Sequence, residues 1–403
     1  MLLRRFSLSI FLFLAPCALA SAASEPPAPR MVDLTAADGT ALKATFFAAG
    51  APGPGVILFH QCNQQRHNWD DLANRLAAAG VNVLTVDYRG FGESGGGRYT
   101  EITQQERLEY VRQKWPGDMD IAFHYLVTQP GVEHDVIGAG GASCGVHQAI
   151  KLARRHPEVK SLVLLSGDTN REGRHFLQES SKLTLFVSVA DDDGDGDATL
   201  AMEFLLGVST NPGDKFVHYA SRGHGTAMFA PHPELPGMIV DWFVTTLEKT
   251  PGSAPANTVS GMPREEVQTL ELIDEPGGAI KIAEMGSDAR LRVRASALFP
   301  EVIVNGMGYG HLQIGDTKGA IEIFKLNGAA YPNSPNVYDS LADAYLADGQ
   351  KDQARLNAKK ALDALTSDNA PDTSNDQQRR DATKASAEIT ISVAKLMNFS
   401  SIS

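Results

Sequence analysis

The stretch from Asp135 to Ile150 constrains the fold more than any other part of the chain. It reads DVIGAGGASCGVHQAI, a short apolar run that leads to Gly-Ala-Ser-Cys-Gly and then at once to a helical pattern. In such a strand-to-helix turn the serine adopts a strained backbone conformation, and the glycines two residues to either side let neighbouring backbone pass close by. We therefore predict that Ser143 lies at a tight turn with its hydroxyl held out at the edge of a sheet.

Two other side chains compete with Ser143 as the nucleophile. Ser94 also has glycines two residues to either side, but it lies in a glycine-rich loop with no helical pattern directly after it. Cys144 would have Ala142 and Val146 at the positions where the turn needs glycine. The context therefore favours Ser143.

Between Met31 and about residue 250, apolar runs of strand length alternate with helical patterns. This alternation predicts an α/β fold in which helices cover both faces of a mostly parallel sheet. The predicted strands are Ala41–Ala48, Val56–His60, Val81–Asp87, Val136–Gly140, Ser161–Ser166, Leu183–Val189 and Lys215–Tyr219.

The first 22 residues are typical of a secretory signal peptide. Arg4 and Arg5 precede a short apolar stretch, and small residues follow it. No later stretch is apolar for long enough to anchor the chain in a membrane. We therefore expect a secreted protein, periplasmic or extracellular. The formal net charge of −12 argues against nucleic acid as a partner.

The C-terminal third has a different pattern. Residues 251–300 begin rich in Pro, Gly, Ser and Thr, which indicates a linker followed by a segment that the sequence does not place. Residues 301–400 show a 34-residue spacing that resembles a pair of tetratricopeptide repeats with a capping helix, an all-α domain and a possible protein-binding surface. The positions that carry this resemblance are Gly308, Ala320, Phe324, Pro332, Tyr338, Leu341, Ala342, Tyr345, Ala354 and Ala361.

A nucleophilic serine needs a histidine as its base, and in this type of fold the histidine comes last in chain order. His224 stands in a Gly-His-Gly loop just beyond the last predicted strand, from which its imidazole could reach the turn. His218 lies within that strand and His232 lies between two prolines. We therefore predict His224 as the base.

The acid that orients the histidine should follow the strand Leu183–Val189. Several carboxylates compete there, because the chain continues Ala-Asp-Asp-Asp-Gly-Asp. Spacing from the strand end favours Asp192, with Asp193 next and Asp191 third. The loop also begins like a calcium-binding loop, but its twelfth position is Met202 instead of a glutamate. We expect no metal and no cofactor.

Acyl transfer also needs N–H donors for the developing oxyanion. One donor is expected at Cys144, directly after the nucleophile, and the other at Cys62, with Gln61 as the alternative. Donors that converge on one oxygen bring the Cα atoms of Cys62 and Cys144 close together, although 82 residues separate them in sequence. The sequence leaves open whether the two form a disulfide. His60 is interpreted as a buried structural histidine.

Together these motifs resemble the α/β-hydrolases of the dienelactone hydrolase-like group over residues 31–250. The matching pieces are FHQC, DYRGFGES, GASCG, the aspartate cluster and GHG. The resemblance implies a serine hydrolase that acts on a small ester or acyl substrate, with Arg89 and Ser94 in structural roles. Dienelactone hydrolases proper use a cysteine nucleophile, so their lactone substrate does not carry over to Ser143. A peptidase, a lactonase and an inactive partner-binding protein remain alternatives.

The size of the segment after the sixth predicted strand bears on access to the site. Only about sixteen residues, from Asp168 to Leu183, occupy the place where related lipases insert a large lid. We therefore expect an open site.

Overall fold

The structure is a computed structural model that describes residues 26–249, 261–285, 299–367 and 374–399. The predicted signal peptide, residues 1–22, lies outside the described residues. Among the described residues, no helix is long and apolar enough to cross a membrane.

Eight strands form one sheet in the order β1-β2-β4-β3-β5-β6-β7-β8. β1 and β2 pair antiparallel, as do β2 and β4, and every other pair is parallel. This is the α/β-hydrolase fold, and the predicted fold class is confirmed. The strands are β1 Arg30–Thr35, β2 Ala41–Phe47, β3 Gly53–Phe59, β4 Asn82–Val86, β5 Val132–Ala142, β6 Val159–Leu165, β7 Thr184–Ala190 and β8 Lys215–Tyr219.

The central strands are mostly apolar because helices cover the sheet on both sides. Every residue of β3, β4 and β7 is buried, as expected for parallel strands between two helical layers. β1 differs, since only Val32 and Leu34 are buried in it. This edge strand has no predicted counterpart because its apolar residues are too few to stand out in the sequence.

Seven helices follow the strands of this part of the chain. α1 and α7 pack on one face, where Leu72 and Leu76 of α1 share a core with Ile239 and Phe243 of α7. The buried side chains of α3, α4 and α6 form a second core on the other face of the sheet. The helices are α1 Asp70–Ala78, α2 Gln104–Glu109, α3 Trp115–Val127, α4 Cys144–Arg155, α5 Arg171–Glu179, α6 Asp197–Val208 and α7 Glu234–Phe243.

The C-terminal part is entirely helical where it is described. The helices are α8 Arg264–Asp274, α9 Gly278–Met285, α10 Glu301–Ile314, α11 Thr317–Ala330, α12 Pro335–Ala347, α13 Lys351–Ser367 and α14 Ser374–Phe399. α12 begins 34 residues after α10, and α13 begins 34 residues after α11. A Cβ atom at Gly308 would lie 2.3 Å from the Phe324 ring, so α10 and α11 approach closely at this glycine. The assignment of these pairs as tetratricopeptide repeats stays a prediction.

The sequence predicts a linker and an unplaced segment over residues 251–300, and the described part of this range, residues 261–285 and 299–300, contains the two helices α8 and α9. α8 buries Val267, Leu270 and Ile273, which continue the apolar core of the α3, α4 and α6 face. Ile303 and Val304 of α10 belong to the same core. The helical part is therefore joined to the sheet domain by shared apolar packing.

Candidate active site

The turn at Ser143 has the backbone strain that the sequence predicts. Ser143 lies between the end of β5 and the start of α4 with φ 52° and ψ −122°. Such a conformation is costly for a residue with a side chain and persists only where the surroundings impose it. Here the N–H of Ser143 donates to the carbonyl of Leu165 at 2.8 Å, and its carbonyl accepts from Val146 at 2.9 Å. The side chain is half-buried.

The glycines around Ser143 are required by close backbone contacts. A Cβ atom at Gly141 would lie 2.0 Å from the carbonyl oxygen of Gly145. A Cβ atom at Gly145 would lie 2.4 Å from the carbonyl oxygen of Phe59. No side chain fits at either position without moving backbone, which explains why the motif needs glycine there.

His224 lies in the loop after β8, against the loop after β7. Its Nδ1 is 2.7 Å and 2.9 Å from the two carboxylate oxygens of Asp193. The Asp193 side chain is 11% exposed and that of His224 is 40% exposed. A carboxylate at Nδ1 fixes the tautomer in which Nε2 is free to accept a proton.

The prediction of Asp192 as the partner of His224 is corrected by this geometry. The exposed carboxylate of Asp192 instead accepts the backbone N–H of Arg222, at 2.7 Å and 2.8 Å. Arg222 has φ 81°, so Asp192 stabilises a strained turn of the His224 loop. The carboxylate of Asp191 pairs with His218 at 2.9 Å. Spacing from the strand end could not distinguish three adjacent aspartates whose side chains point in different directions.

The loop that bears His224 is fastened beside the turn that bears Ser143. The side-chain oxygen of Gln61 accepts from the backbone N–H and the hydroxyl of Thr226, at 3.1 Å and 3.2 Å. A Cβ atom at Gly225 would lie 3.1 Å from Cβ of Ala142. The backbone next to His224 is therefore in contact with the residue that precedes Ser143.

Cys62 and Cys144 form a disulfide with their Cα atoms 5.9 Å apart. The predicted proximity of the two residues is confirmed, and the bridge that the sequence left open is present. It ties the loop after β3 to the first residue of α4, so the two backbone segments expected to supply oxyanion donors are covalently linked. Whether Cys62 or Gln61 provides the second donor stays a prediction.

His60 and Ser94, for which the sequence predicts structural roles, both make buried hydrogen bonds to the backbone. Nδ1 of His60 hydrogen-bonds the Gln61 carbonyl at 2.8 Å and Nε2 accepts the N–H of Tyr88 at 3.2 Å. Burial lowers the pKa of His60 to about 4, so the ring is neutral. The hydroxyl of Ser94 donates to the carbonyl of Asp87 and accepts the N–H of Lys43. The Ser94 hydroxyl thus donates one hydrogen bond and accepts another within the core.

Arg89 is held by two carboxylates beside the site. It bonds Asp118 at 2.7 Å and 2.8 Å and Asp38 at 2.6 Å. Its backbone carbonyl accepts from Trp115 at 3.3 Å. These bonds anchor the DYRGFGES loop to α3 and to the turn between β1 and β2. Among the described residues, no group of three or more His, Cys, Asp or Glu side chains could hold a metal ion.

The sequence predicts an open site, but in the structure a helix covers the region of the disulfide. α10 lies over this region, and Gly306, Gly310 and Gln313 line a cavity whose other walls include Cys62 and Cys144. The spacing after β6 does not predict this cover, because the cover comes from the C-terminal helices and not from an insertion after β6. A signal was available: Gly306 and Gly310 are four residues apart, on the helix face opposite Gly308.

The cover is fixed to the sheet domain by buried charges. Arg174 of α5 forms an ion pair with Asp274 of α8, and both side chains are buried. His311 of α10 lies 3.3 Å from Asp274 and 2.7 Å from Asp316. These carboxylates raise the pKa of His311, with Asp274 contributing most. Arg112 also donates to the carbonyl of Leu312 at 2.5 Å.

Comparison with known proteins agrees with the fold. Residues 50–183 match the family model described as serine aminopeptidase, S33. A thiohydrolase of Aspergillus aculeatus is 27% identical over 135 residues, 33% of this chain and 39% of that protein. An uncharacterized protein of Mycobacterium tuberculosis is 32% identical over 152 residues, 37% of this chain and 50% of that protein. The chain therefore spans half or less of the length of these two relatives.

Among solved structures, a dienelactone hydrolase from Anabaena variabilis is 19% identical with a TM-score of 0.42. The similarity covers 55% of this chain and 99% of that one. The strand order of the sheet confirms the α/β-hydrolase fold, and the family match supports a hydrolase. The narrower dienelactone hydrolase-like assignment stays a prediction.

Proposed function

We propose that the chain is a secreted serine hydrolase that cleaves esters through Ser143, His224 and Asp193. The observation that supports this most strongly is the contact of His224 with Asp193, in a loop fastened beside the strained turn of Ser143. Nucleophile, acid and base then follow one another in the chain order expected for this fold.

In the proposed reaction, Oγ of Ser143 attacks the ester carbonyl while Nε2 of His224 accepts its proton. His224 then protonates the leaving alcohol, and an acyl-enzyme remains on Ser143. Water attacks this intermediate with His224 again as the base; His224 then returns the proton to Oγ of Ser143 as the bond between Oγ and the acyl carbon breaks and the acid leaves. Asp193 holds the ring orientation and stabilises the imidazolium that forms in each half of the cycle.

The backbone N–H groups of Cys62 and Cys144 are proposed to stabilise the oxyanion. Preorganised donors are effective because they need no reorientation when negative charge develops. The disulfide supports this role, since a covalent link between the two segments limits their relative motion. It also supports export, because such bonds persist in oxidising compartments.

An ester is the proposed substrate, and three related classes belong in the first assay panel. The name of the Aspergillus relative suggests thioesters, and the description of the matching family suggests peptides with a free amino terminus. Lactones are included because a lactonase on the same fold remains an alternative. All four share the acyl-enzyme chemistry of Ser143.

The helical part is proposed to act as a cover for the hydrolase site, built from tetratricopeptide-like pairs. The alternative, an inactive scaffold that binds a protein partner through the repeats, is less well supported. α8 and α10 share the core of the sheet domain, and Ala387 of α14 packs in the core of α12 and α13. Packed faces of this kind are not available to a partner.

The proposal is tested by hydrolysis of the panel with a matched pair of histidine variants. His224→Ala removes the proposed base, whereas His218→Ala removes a histidine that is also paired with an aspartate of the same loop. We expect His224→Ala to lose on the order of 1,000-fold or more in kcat, and His218→Ala to retain most of it. A folded wild-type protein that turns over no member of the panel would favour the binding alternative.

A further inference from the structure

A cavity of about 190 Å³ lies between the sheet domain and α10. The disulfide Cys62–Cys144 forms part of one wall, and Gly306 and Gly310 form part of the opposite wall. Cys144 directly follows Ser143, so this wall lies one residue along the chain from the proposed nucleophile, which does not itself line the cavity. A group attached to the ester carbon or oxygen could therefore extend into it.

One side of the cavity is flat and aromatic. The rings of Tyr99 and Trp115 have their centroids 5.3 Å apart, and Val111 lies beside them. A smaller extension of about 50 Å³ continues past Asp168 and is lined by apolar side chains that include Phe204 and Ile303. These walls fit a flat apolar group.

The other side of the cavity has one charged side chain, Asp168. It lines both the main cavity and the extension, and a Cβ atom at Gly306 would lie 3.5 Å from its Oδ2. It is placed by Gly167, where a Cβ atom would lie 2.4 Å from the carbonyl oxygen of Ser143. Asp168 therefore follows a residue in direct contact with the nucleophile's backbone.

The charge of Asp168 is not matched by a salt bridge within the described part of the chain. The guanidinium of Arg174, which lines the extension, is bound to Asp274 and to the carbonyl of Thr169. Desolvation by the surrounding protein raises the pKa of Asp168, and Arg174 offsets this only in part. Burial, followed by neighbouring cations, lowers the pKa of His147 to about 3, so this lining residue is neutral. The main cavity thus presents a single carboxylate.

We infer that the cavity binds a flat apolar group that ends in an ammonium, and that Asp168 is the specificity-determining residue that receives the ammonium. This inference rests on the proposed function, because it assigns the group to the substrate of Ser143. Asp168 is exposed and lines the cavity, so an ammonium there would form a charge-assisted hydrogen bond with its carboxylate, and aromatic faces also attract cations. The group could belong to the acyl part or to the alcohol part of the ester.

The kinetic test compares esters that differ only in the ammonium. For the acyl part, 4-nitrophenyl 4-(aminomethyl)benzoate is compared with the 4-ethylbenzoate. For the alcohol part, 4-(aminomethyl)phenyl acetate is compared with 4-ethylphenyl acetate. We expect the wild type to prefer the amine in one of the two pairs, and Asp168→Asn to reduce this preference about tenfold in kcat/KM. Turnover of phenyl acetate, which carries no ammonium, is the reference to which each enzyme's rates are normalised. An unchanged preference in both pairs would overturn the inference.

Direct binding separates this inference from the proposed function. Benzylamine and benzyl alcohol are titrated into the Ser143→Ala variant in a calorimeter. This measures binding to the cavity in the absence of catalysis. We expect benzylamine to bind more tightly, and Asp168→Asn in the same background to weaken it about tenfold. If Asp168→Asn has no effect while Ser143 proves essential for turnover, only the inference fails. If binding responds but Ser143 is dispensable, only the proposed function fails.

The size of the cavity is tested at Gly310. A Cβ atom there would meet no heavy atom within 4 Å, so Gly310→Leu projects into open space without a clash at Cβ. Gly237 of α7 has the same open surroundings and does not line the cavity, so Gly237→Leu is the matched control. We expect Gly310→Leu to weaken benzylamine binding at least fivefold and Gly237→Leu to leave it unchanged. Equal effects of the two variants would exclude the cavity as the binding site.

Discussion

The carboxylate of Asp193 lies 2.7 Å from Nδ1 of His224, whereas the neighbouring Asp192 binds the backbone N–H of Arg222. The two aspartates are adjacent in sequence, yet one orients the proposed base and the other supports the turn that presents it.

This difference predicts the outcome of a pair of isosteric substitutions. Asp193→Asn leaves the shape of the site but places a neutral amide against His224, so the imidazolium loses its stabilising charge. We expect kcat to fall by roughly 10,000-fold, as for the corresponding change in a serine protease. Asp192→Asn should reduce kcat by about tenfold or less, because an amide oxygen still accepts the N–H of Arg222. The reverse ranking in steady-state assays would contradict the assignment of Asp193.

The disulfide Cys62–Cys144 should contribute to stability more than to chemistry. It closes a long loop, and a bridge of this kind contributes roughly 2–5 kcal/mol to the free energy of unfolding. We expect the double variant Cys62→Ala/Cys144→Ala to lose this amount in urea unfolding. Both backbone N–H groups remain, so kcat should fall by about tenfold, less than the 100-fold or more typical of a lost oxyanion donor.

Reduction of the wild type is the control for that variant. Mild reductant should reproduce the stability loss and should not affect the double variant. A variant with unchanged stability and unchanged kcat would show that the bridge neither stabilises the fold nor organises the oxyanion region.

The raised pKa of His311 predicts that the contact between α10 and α8 depends on pH. Its pKa is raised in the folded state by Asp274 and Asp316, from an ordinary value of about 6.5. A raised pKa stabilises the fold fully below the unfolded value, and the contribution is lost as pH rises through the folded value. The stability difference between the wild type and His311→Gln should thus be largest near pH 6 and shrink toward about pH 9. Urea unfolding at several pH values measures it, and a difference that grows with pH would contradict the ion pair.

The central strands and the turn at Ser143 could be predicted because their signals are local. A continuous apolar run marks a parallel strand buried on both faces, and glycines two residues on either side of a serine mark close backbone contacts. The edge strand β1 has only two buried side chains, Val32 and Leu34, and so gives no such signal.

The position of α10 could not be predicted, because it depends on tertiary packing. Gly306 and Gly310 face the cavity while Gly308 faces Phe324, but the sequence does not say which surface each glycine meets. The acid of the proposed triad was uncertain by one residue for a related reason. In a short turn, each successive side chain points in a new direction, and only coordinates distinguish Asp192 from Asp193.

The central claim is that Ser143 is the nucleophile, and reaction with a fluorophosphonate probe tests it most directly. The probe forms a bond between phosphorus and an activated serine oxygen and releases fluoride, so peptide mass spectrometry identifies the modified residue. Ser94→Ala is the matched control, because Ser94 has the same flanking glycines but is hydrogen-bonded in the core. We predict modification at Ser143 in the wild type and in Ser94→Ala, and none in Ser143→Ala. Labelling that persists in Ser143→Ala, or that maps to another serine, would contradict the account.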